Sequence, residues 1–180
     1  VPKTDCRSVS EKIADALLAF LRGLIIVLIV VLVFLENYPI ETESLRFRSS
    51  PALSFEESLR RIESLKDADP VNTDLYGHTL AMHYNKKTDR VIVFFHGFTS
   101  SPRQFDALAD KFFEMGYNVL IPRVPHHGLE KKMKKELNRL TAEEMRLLTD
   151  ESIDIAQGMG DKVIVAGLSM GGVMAGWAAQ

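Results

Sequence analysis

This chain of 180 residues has a single cysteine, Cys6, so no disulfide can form within it and no set of thiolates is available to hold a metal. The lone thiol sits in the polar amino-terminal flank and reads as inert, with lipidation the lesser alternative. Neither sign of charge is in surplus. Lys and Arg number 22 against 24 Asp and Glu, and the net charge of −2 gives no electrostatic basis for nucleic-acid binding. No internal repeat or low-complexity segment is present. The adjacent His126 and His127 have no His-x-x-x-His spacing beside them, which makes a poor metal site, and nothing in the sequence calls for a metal, nucleotide or other cofactor.

Apolar sequence is abundant, at 46% of residues, and part of it is concentrated near the amino terminus. From Ala16 to Leu35 only Arg22 and Gly23 interrupt it, and Leu24 to Leu35 is an unbroken aliphatic and aromatic run. About twenty helical residues rising 1.5 Å each span about 30 Å, the thickness of a bilayer's hydrocarbon core. One transmembrane helix is expected over residues 16–38, with Arg22 snorkelling at one interface and Tyr38 at the other. A cleaved signal peptide is the competing reading, but Glu36-Asn37-Tyr38-Pro39 offers no small-x-small cleavage site. Lys3, Arg7, Lys12 and Arg22 precede the run, whereas Glu36, Glu41 and Glu43 follow it. The positive-inside rule therefore puts residues 1–15 in the cytoplasm and the rest of the chain on the outer side of the membrane.

Residues 39–70 read as a juxtamembrane linker, irregular over Glu41 to Pro51, and a short amphipathic helix. Ser54-Phe55-Glu56-Glu57 has the form of a capping box, and Phe55, Leu59, Ile62 and Leu65 recur at helical spacing. Beyond residue 71 the pattern changes. Val71 to Tyr76 and Thr79 to Tyr84, around Gly77, are expected to form a hairpin at the antiparallel edge of a sheet, and Asn85 to Asp89 a polar turn. Val91 to Phe95 is a buried strand. A helix capped by Ser101 and Gln104 follows, with Phe105, Leu108, Ala109, Phe112 and Phe113 on one face, and then a strand from Tyr117 to Ile121. The lysine-rich run Lys131 to Arg139 is most simply a solvated helix face. Thr141 and Glu144 cap a further helix whose Met145, Leu148, Ser152, Ile155 and Ala156 face the sheet, ended by Gly158 and Gly160. Alternating strands and helices predict a mostly parallel sheet covered on both faces.

The chemistry is concentrated where the last strand, Lys162 to Ala166, runs into Gly167-Leu168-Ser169-Met170-Gly171-Gly172. A strand, a sharp turn and a helix with serine at the apex form a nucleophile elbow, and the flanking glycines let strand and helix approach. Gly-x-Ser-x-Gly alone arises by chance in about one chain in twenty of this length, so context decides. The upstream strand ends in His96-Gly97-Phe98, the place for an oxyanion-hole loop if Ser169 is a nucleophile.

In order and spacing, Phe94-Phe95-His96-Gly97-Phe98-Thr99, then Gly116-Tyr117-Asn118-Val119 leading to Pro122-Arg123-Val124-Pro125-His126-His127-Gly128, then Val165 to Gly172, the chain resembles the α/β-hydrolase superfamily. Within it the likeness is to bacterial serine esterases and lipases of the monoacylglycerol-lipase and carboxylesterase type, and it covers roughly 71–180. The resemblance implies an α/β-hydrolase fold, with Ser169 as nucleophile and the backbone N–H groups of Phe98 and Met170 as the oxyanion hole. His96, Gly97, Gly167 and Gly171 are motif positions, and His96 is implied to be structural. His126 and His127, at the carboxyl edge of the sheet, are candidate substrate contacts. The family's triad acid and histidine follow the serine, and no position before Gln180 matches them. The chain therefore reads as the amino-terminal part of a larger hydrolase, truncated before the last strands and inactive by itself.

The expected function is hydrolysis of a carboxylic ester, acyl or lipid-like, through an acyl-enzyme on Ser169. A serine peptidase of the same fold is the nearest alternative, and a membrane-tethered non-catalytic binding protein is an alternative of another class. The expected partners are a small or lipid-like ester and the membrane; oligomeric state leaves no trace in the sequence.

Overall fold

The computed structural model describes residues 9–38, 43–70, 73, 77–129 and 133–180, and the chain divides into two units, Val1–Thr42 and Glu43–Gln180. Cys6, Lys3, Arg7 and Glu41 lie outside the described residues, as do Lys131, Glu130 and, Thr73 apart, the proposed hairpin arm from 71 to 76.

The described part of the first unit is a helix, α1 (Val9–Asn37), which starts before the expected span and ends one residue short of it. From Glu11 to Asn37 it is long and apolar enough to cross a membrane, a test that a signal sequence near the amino terminus also passes. Its side chains from Glu11 on are exposed. Asn37 closes the last turn by donating from its side-chain amide to the Val33 carbonyl at 2.8 Å.

The second unit is built on a four-stranded sheet in the order β1 (Leu80–Met82), β3 (Asn118–Ile121), β2 (Thr88–Phe95), β4 (Gly160–Gly167). β2 pairs in parallel with β3 and β4, and β1 is antiparallel to β3, with Leu80 opposite Ile121. The expected antiparallel edge is formed by β1 on β3; of the other expected hairpin arm only Thr73 is described, and it bridges Leu129. The central strand is legible in its chemistry. Val91 to Phe95 are all at most 2% exposed, as a continuous apolar run requires when helices cover both faces.

Strand alternation divides the core in two. Val91, Val93 and Phe95, with Leu120, pack under Ile155, Ala156 and Met159 of α5 (Ala142–Met159) and Met174 of α6 (Met170–Ala178). Ile92 and Phe94, with Val119 and Ile121, face α3 (Asp106–Glu114), where Phe94 stacks on Phe105 at 4.8 Å and meets Phe112 edge-on at 5.6 Å. Leu108, expected on that face, is exposed. Residues Pro102–Phe105 form a separate 3-10 turn, and the α-helix starting at Asp106 turns Ala109 and Phe112 inward instead.

Residues 43–52 run along α5. Asp154 accepts the Ser50 N–H at 2.7 Å and the Ser49 hydroxyl at 3.1 Å, and its carbonyl takes the Ala52 N–H at 3.0 Å. Asp150 accepts the Arg48 N–H, the Arg146 guanidinium at 2.6 Å and the Trp177 indole N–H at 3.1 Å. The helix α2 (Phe55–Asp67) then packs on α5, with Ile62 1% exposed and the Ser58 hydroxyl donating to the Ile155 carbonyl at 2.7 Å.

The three predicted caps differ in outcome. Thr141 and Glu144 form the full reciprocal box at the start of α5. Ser54 accepts the Glu57 N–H at 3.2 Å, but the Glu57 carboxylate takes the N–H of Leu53 rather than of Ser54. Ser101 makes no side-chain cap: the Gln104 N–H donates to the Ser101 carbonyl at 3.0 Å, and the Gln104 side-chain oxygen is taken by another N–H. At the far end, α5 continues through Gly158 to Met159, and Gly160 alone is the cap.

Candidate active site

The elbow stands at the end of β4, where Ser169 precedes α6 with φ 55° and ψ −118°. A non-glycine residue at positive φ is strained, at a cost of about 1–3 kcal/mol, and persists only when its surroundings determine it. Here they do. The Leu168 N–H donates to the Phe95 carbonyl at 3.2 Å, and the N–H groups of Gly171 and Gly172 return to the carbonyls of Leu168 and Ser169 at 2.9 and 2.8 Å. A Cβ at Gly167 would collide with the Gly171 carbonyl, and one at Gly171 with the Phe95 carbonyl. The turn thus presses against the end of β2 with no room for a side chain, and Ser169 is left exposed at its apex.

Two main-chain donors lie on the loops that meet here. The Met170 amide opens α6, a position without an intrahelical acceptor, and the Phe98 amide lies in the loop after β2. Neither has an acceptor among the described residues. The peptide that carries the Phe98 N–H is held by its other end. The Gly97 carbonyl is contacted by His96 Nδ1 at 3.1 Å and accepts the Ser100 N–H at 3.1 Å, while the Gly97 N–H donates to the Gln104 side-chain oxygen at 2.8 Å.

His96 is fully buried, and its Nε2 accepts the Val124 N–H at 3.1 Å, so the ring links the ends of β2 and β3. That contact needs an unprotonated Nε2, which fixes the Nδ1–H tautomer. Burial, with smaller contributions from His127 and Arg123, lowers the His96 pKa from 6.5 to about 4 and keeps the ring neutral.

The loop after β3 rests on a buried ion pair with no counterpart in the local sequence pattern. Arg123 donates from Nε to Asp69 at 2.7 Å, and from Nη1 to the His127 carbonyl at 3.0 Å. Asp69 also accepts the Thr79 N–H at 2.7 Å, so the end of α2, the start of β1 and this loop share one carboxylate. His126, at φ 66°, is set between two carboxylates, with Nε2 3.1 Å from Glu144 and Nδ1 3.6 Å from Glu136 of α4 (Met133–Leu137). His127 is buried, its ring 5.2 Å from that of His96 and 5.7 Å from that of Phe98. Burial pushes its pKa below the ordinary histidine range.

All five histidines are committed elsewhere, since His78 faces Asp69 and His83 accepts the Asn85 N–H, and none is hydrogen-bonded to Ser169. Among the described residues, no three His, Cys, Asp or Glu side chains converge to hold a metal. The structure therefore brings together Ser169, the loop of Phe98 and the buried His96 and His127, and places His126 on the outer side of its loop against α4 and α5. That Gln104, Arg123 and Asp69 hold these loops is not signalled by the sequence, because their partners are main-chain groups or lie far away along the chain.

Residues 92–179 match the family model described as the alpha/beta hydrolase family. That match covers just under half of the chain, and the open, mostly parallel sheet with its flanking helices is an α/β-hydrolase fold. A thermostable monoacylglycerol lipase from Bacillus sp. (strain H-257) is 29% identical over 83 residues, covering 46% of this chain and 32% of that protein. A solved structure reported for LipS and LipT, two metagenome-derived lipolytic enzymes, is 29% identical, with a TM-score of 0.45 over 58% of this chain and 40% of that one. The chain spans about a third of the length of the curated relative it matches.

Proposed function

We propose that Ser169 is the nucleophile of a membrane-tethered serine hydrolase that cleaves carboxylic esters of acyl or lipid-like type. The observation that carries this reading is the strained Ser169 backbone at the strand-to-helix junction, exposed beside the unpaired Met170 amide. Its hydroxyl oxygen attacks the ester carbonyl, and the amides of Phe98 and Met170 receive the developing oxyanion. The carbon–oxygen bond to the alcohol then breaks, leaving an acyl-Ser169 that water hydrolyses to acid and free serine. The helix dipole of α6 adds to the Met170 donor, and removing such a donor costs about 3–4 kcal/mol of transition-state stabilisation. The base that takes the Ser169 proton is assigned to none of the described histidines, since none is hydrogen-bonded to Ser169. The lipid-like substrate class is supported by the named activity of the curated relative and suits an anchor as apolar as α1. In this reading α1 stays in the membrane with the amino terminus in the cytoplasm and the hydrolase unit outside.

The test is fluorophosphonate labelling of the protein expressed from its complete gene. Labelling abolished by Ser169→Ala supports the enzyme; a folded protein that takes no label is a binding protein on a hydrolase fold. Carbonate extraction of the same membranes tests the tether, which is wrong if the protein leaves with the soluble fraction.

A further inference from the structure

Both nitrogens of the buried His127 ring face main-chain carbonyls. Nδ1 lies 2.8 Å from the oxygen of Pro125 within its own loop, and Nε2 lies 2.7 Å from the oxygen of Phe98 across the site. Phe98 is thereby gripped on both sides. The peptide before it is held at the Gly97 carbonyl by His96 Nδ1, and the peptide after it is held at the Phe98 carbonyl by His127 Nε2. Fixing both flanking peptide planes fixes φ and ψ of Phe98, and hence the direction of its unpaired N–H. Phe98 is otherwise lightly held, with its side chain 41% exposed.

We propose that His127 is a positioning residue for the Phe98 amide, acting through an Nε2–H hydrogen bond to the Phe98 carbonyl. The proposal rests on the reading of Ser169 as the nucleophile and of this amide as an oxyanion donor. Its own support is rigid. The His127 carbonyl is tied to Arg123, and Arg123 is tied to the buried Asp69, so the ring presses on Phe98 from a fixed frame rather than from a free loop. A neutral imidazole has one N–H to give, and the role requires it on Nε2, with Nδ1 left toward Pro125. A catalytic donor must be in place before charge develops, and a misplacement of about 1 Å can cost about a hundredfold in rate.

The two ring nitrogens can be replaced one at a time. His127→Gln puts an amide nitrogen near the place of Nε2, and His127→Asn puts one near the place of Nδ1. In the protein from the complete gene, turning over a p-nitrophenyl ester, the Asn variant is expected to lose about 10- to 100-fold in kcat with KM nearly unchanged, and the Gln variant to recover most of the loss. A purely structural histidine would show activity following thermal stability, without regard to which nitrogen is replaced. Equal kcat for Gln and Asn, or wild-type kcat for Asn, overturns the proposal. Ring nitrogen-15 NMR of the wild-type protein decides the matter without any variant or turnover: a protonated Nε2 supports it, and a bare Nε2 overturns it. Absence of fluorophosphonate labelling on wild-type Ser169 marks the separate failure of the catalytic reading.

Discussion

The side-chain oxygen of Gln104 accepts the N–H of Gly97 at 2.8 Å, which takes Gln104 away from the helix cap its sequence position suggests and commits it to the loop beside Ser169. Because Gln104 is exposed, losing that bond should cost only about 1 kcal/mol of stability. Its effect on reactivity should be larger. Gln104→Ala is expected to slow fluorophosphonate labelling of Ser169 by about tenfold, as the loop carrying the Phe98 donor loosens. Gln104→Glu keeps the acceptor and should label near the wild-type rate. Equal labelling rates in all three proteins would show that the bond does not support the site.

The elbow glycines should tolerate nothing larger. At Gly167 and Gly171 an added Cβ meets main-chain carbonyls, which cannot turn aside as a flexible side chain can. Gly171→Ala is expected to destabilise the hydrolase unit by about 3 kcal/mol or more, the range for overpacking combined with backbone displacement. Urea unfolding measures this, and a loss below about 1 kcal/mol would contradict the close approach of α6 to β2.

Stability should fall on mild acidification. The folded state holds His96 at about 4 against an ordinary value of 6.5, so between those values the unfolded chain binds the extra proton and the folded chain does not. The contribution is complete above about pH 6.5, is lost as pH falls toward 4, and levels off below that; at about 1.4 kcal/mol per pKa unit it amounts to about 3 kcal/mol. His127 is shifted in the same direction by burial and adds to the same slope. Unfolding midpoints taken from pH 7.5 to pH 4 check this. His96→Gln, which retains an acceptor for the Val124 N–H but does not titrate, should flatten much of the curve.

The segment before α2 should be released by a change far from it in sequence. Asp154 is 2% exposed and accepts the Ser49 hydroxyl and the Ser50 N–H. Asp154→Ala is expected to cost about 2–3 kcal/mol, the scale for hydrogen bonds to a buried charged acceptor, and to open residues 43–52 to proteolysis before the sheet unfolds. Cleavage at the wild-type rate would mean that α2 packing alone holds this segment.

What the sequence made legible follows from the range of the interactions. The strand from Val91 to Phe95, the Thr141 box and the Gly167-to-Gly172 turn rest on neighbours within a few residues, and each reads correctly. The edge strand reads correctly as antiparallel, but its pairing with β3, some forty residues on, does not, because local alternation does not name a partner. The reciprocal half of the Ser101 box is missing for a related reason: the Gln104 side chain accepts the N–H of Gly97, in a loop that only the folded sheet brings near. The same holds at the site. Ser169 announces itself through its glycines, whereas Arg123, Asp69 and the two contacts of His127 depend on loops brought together in three dimensions.

The sheet order also has a consequence for synthesis. β2 is central, but its neighbour β4 is separated from it in the chain by α3, β3, α4 and α5. A ribosome adding about 5–20 residues per second therefore presents the apolar Val91–Phe95 run several seconds before the strand that covers its other side emerges. Through that interval, among the described strands, only β3 can pair with it, and Ser169 is made after the loops of Phe98 and His127. The nascent chain thus carries an open strand edge as a translation intermediate, a natural point of contact for a holding chaperone, and the elbow can form only after that contact is released.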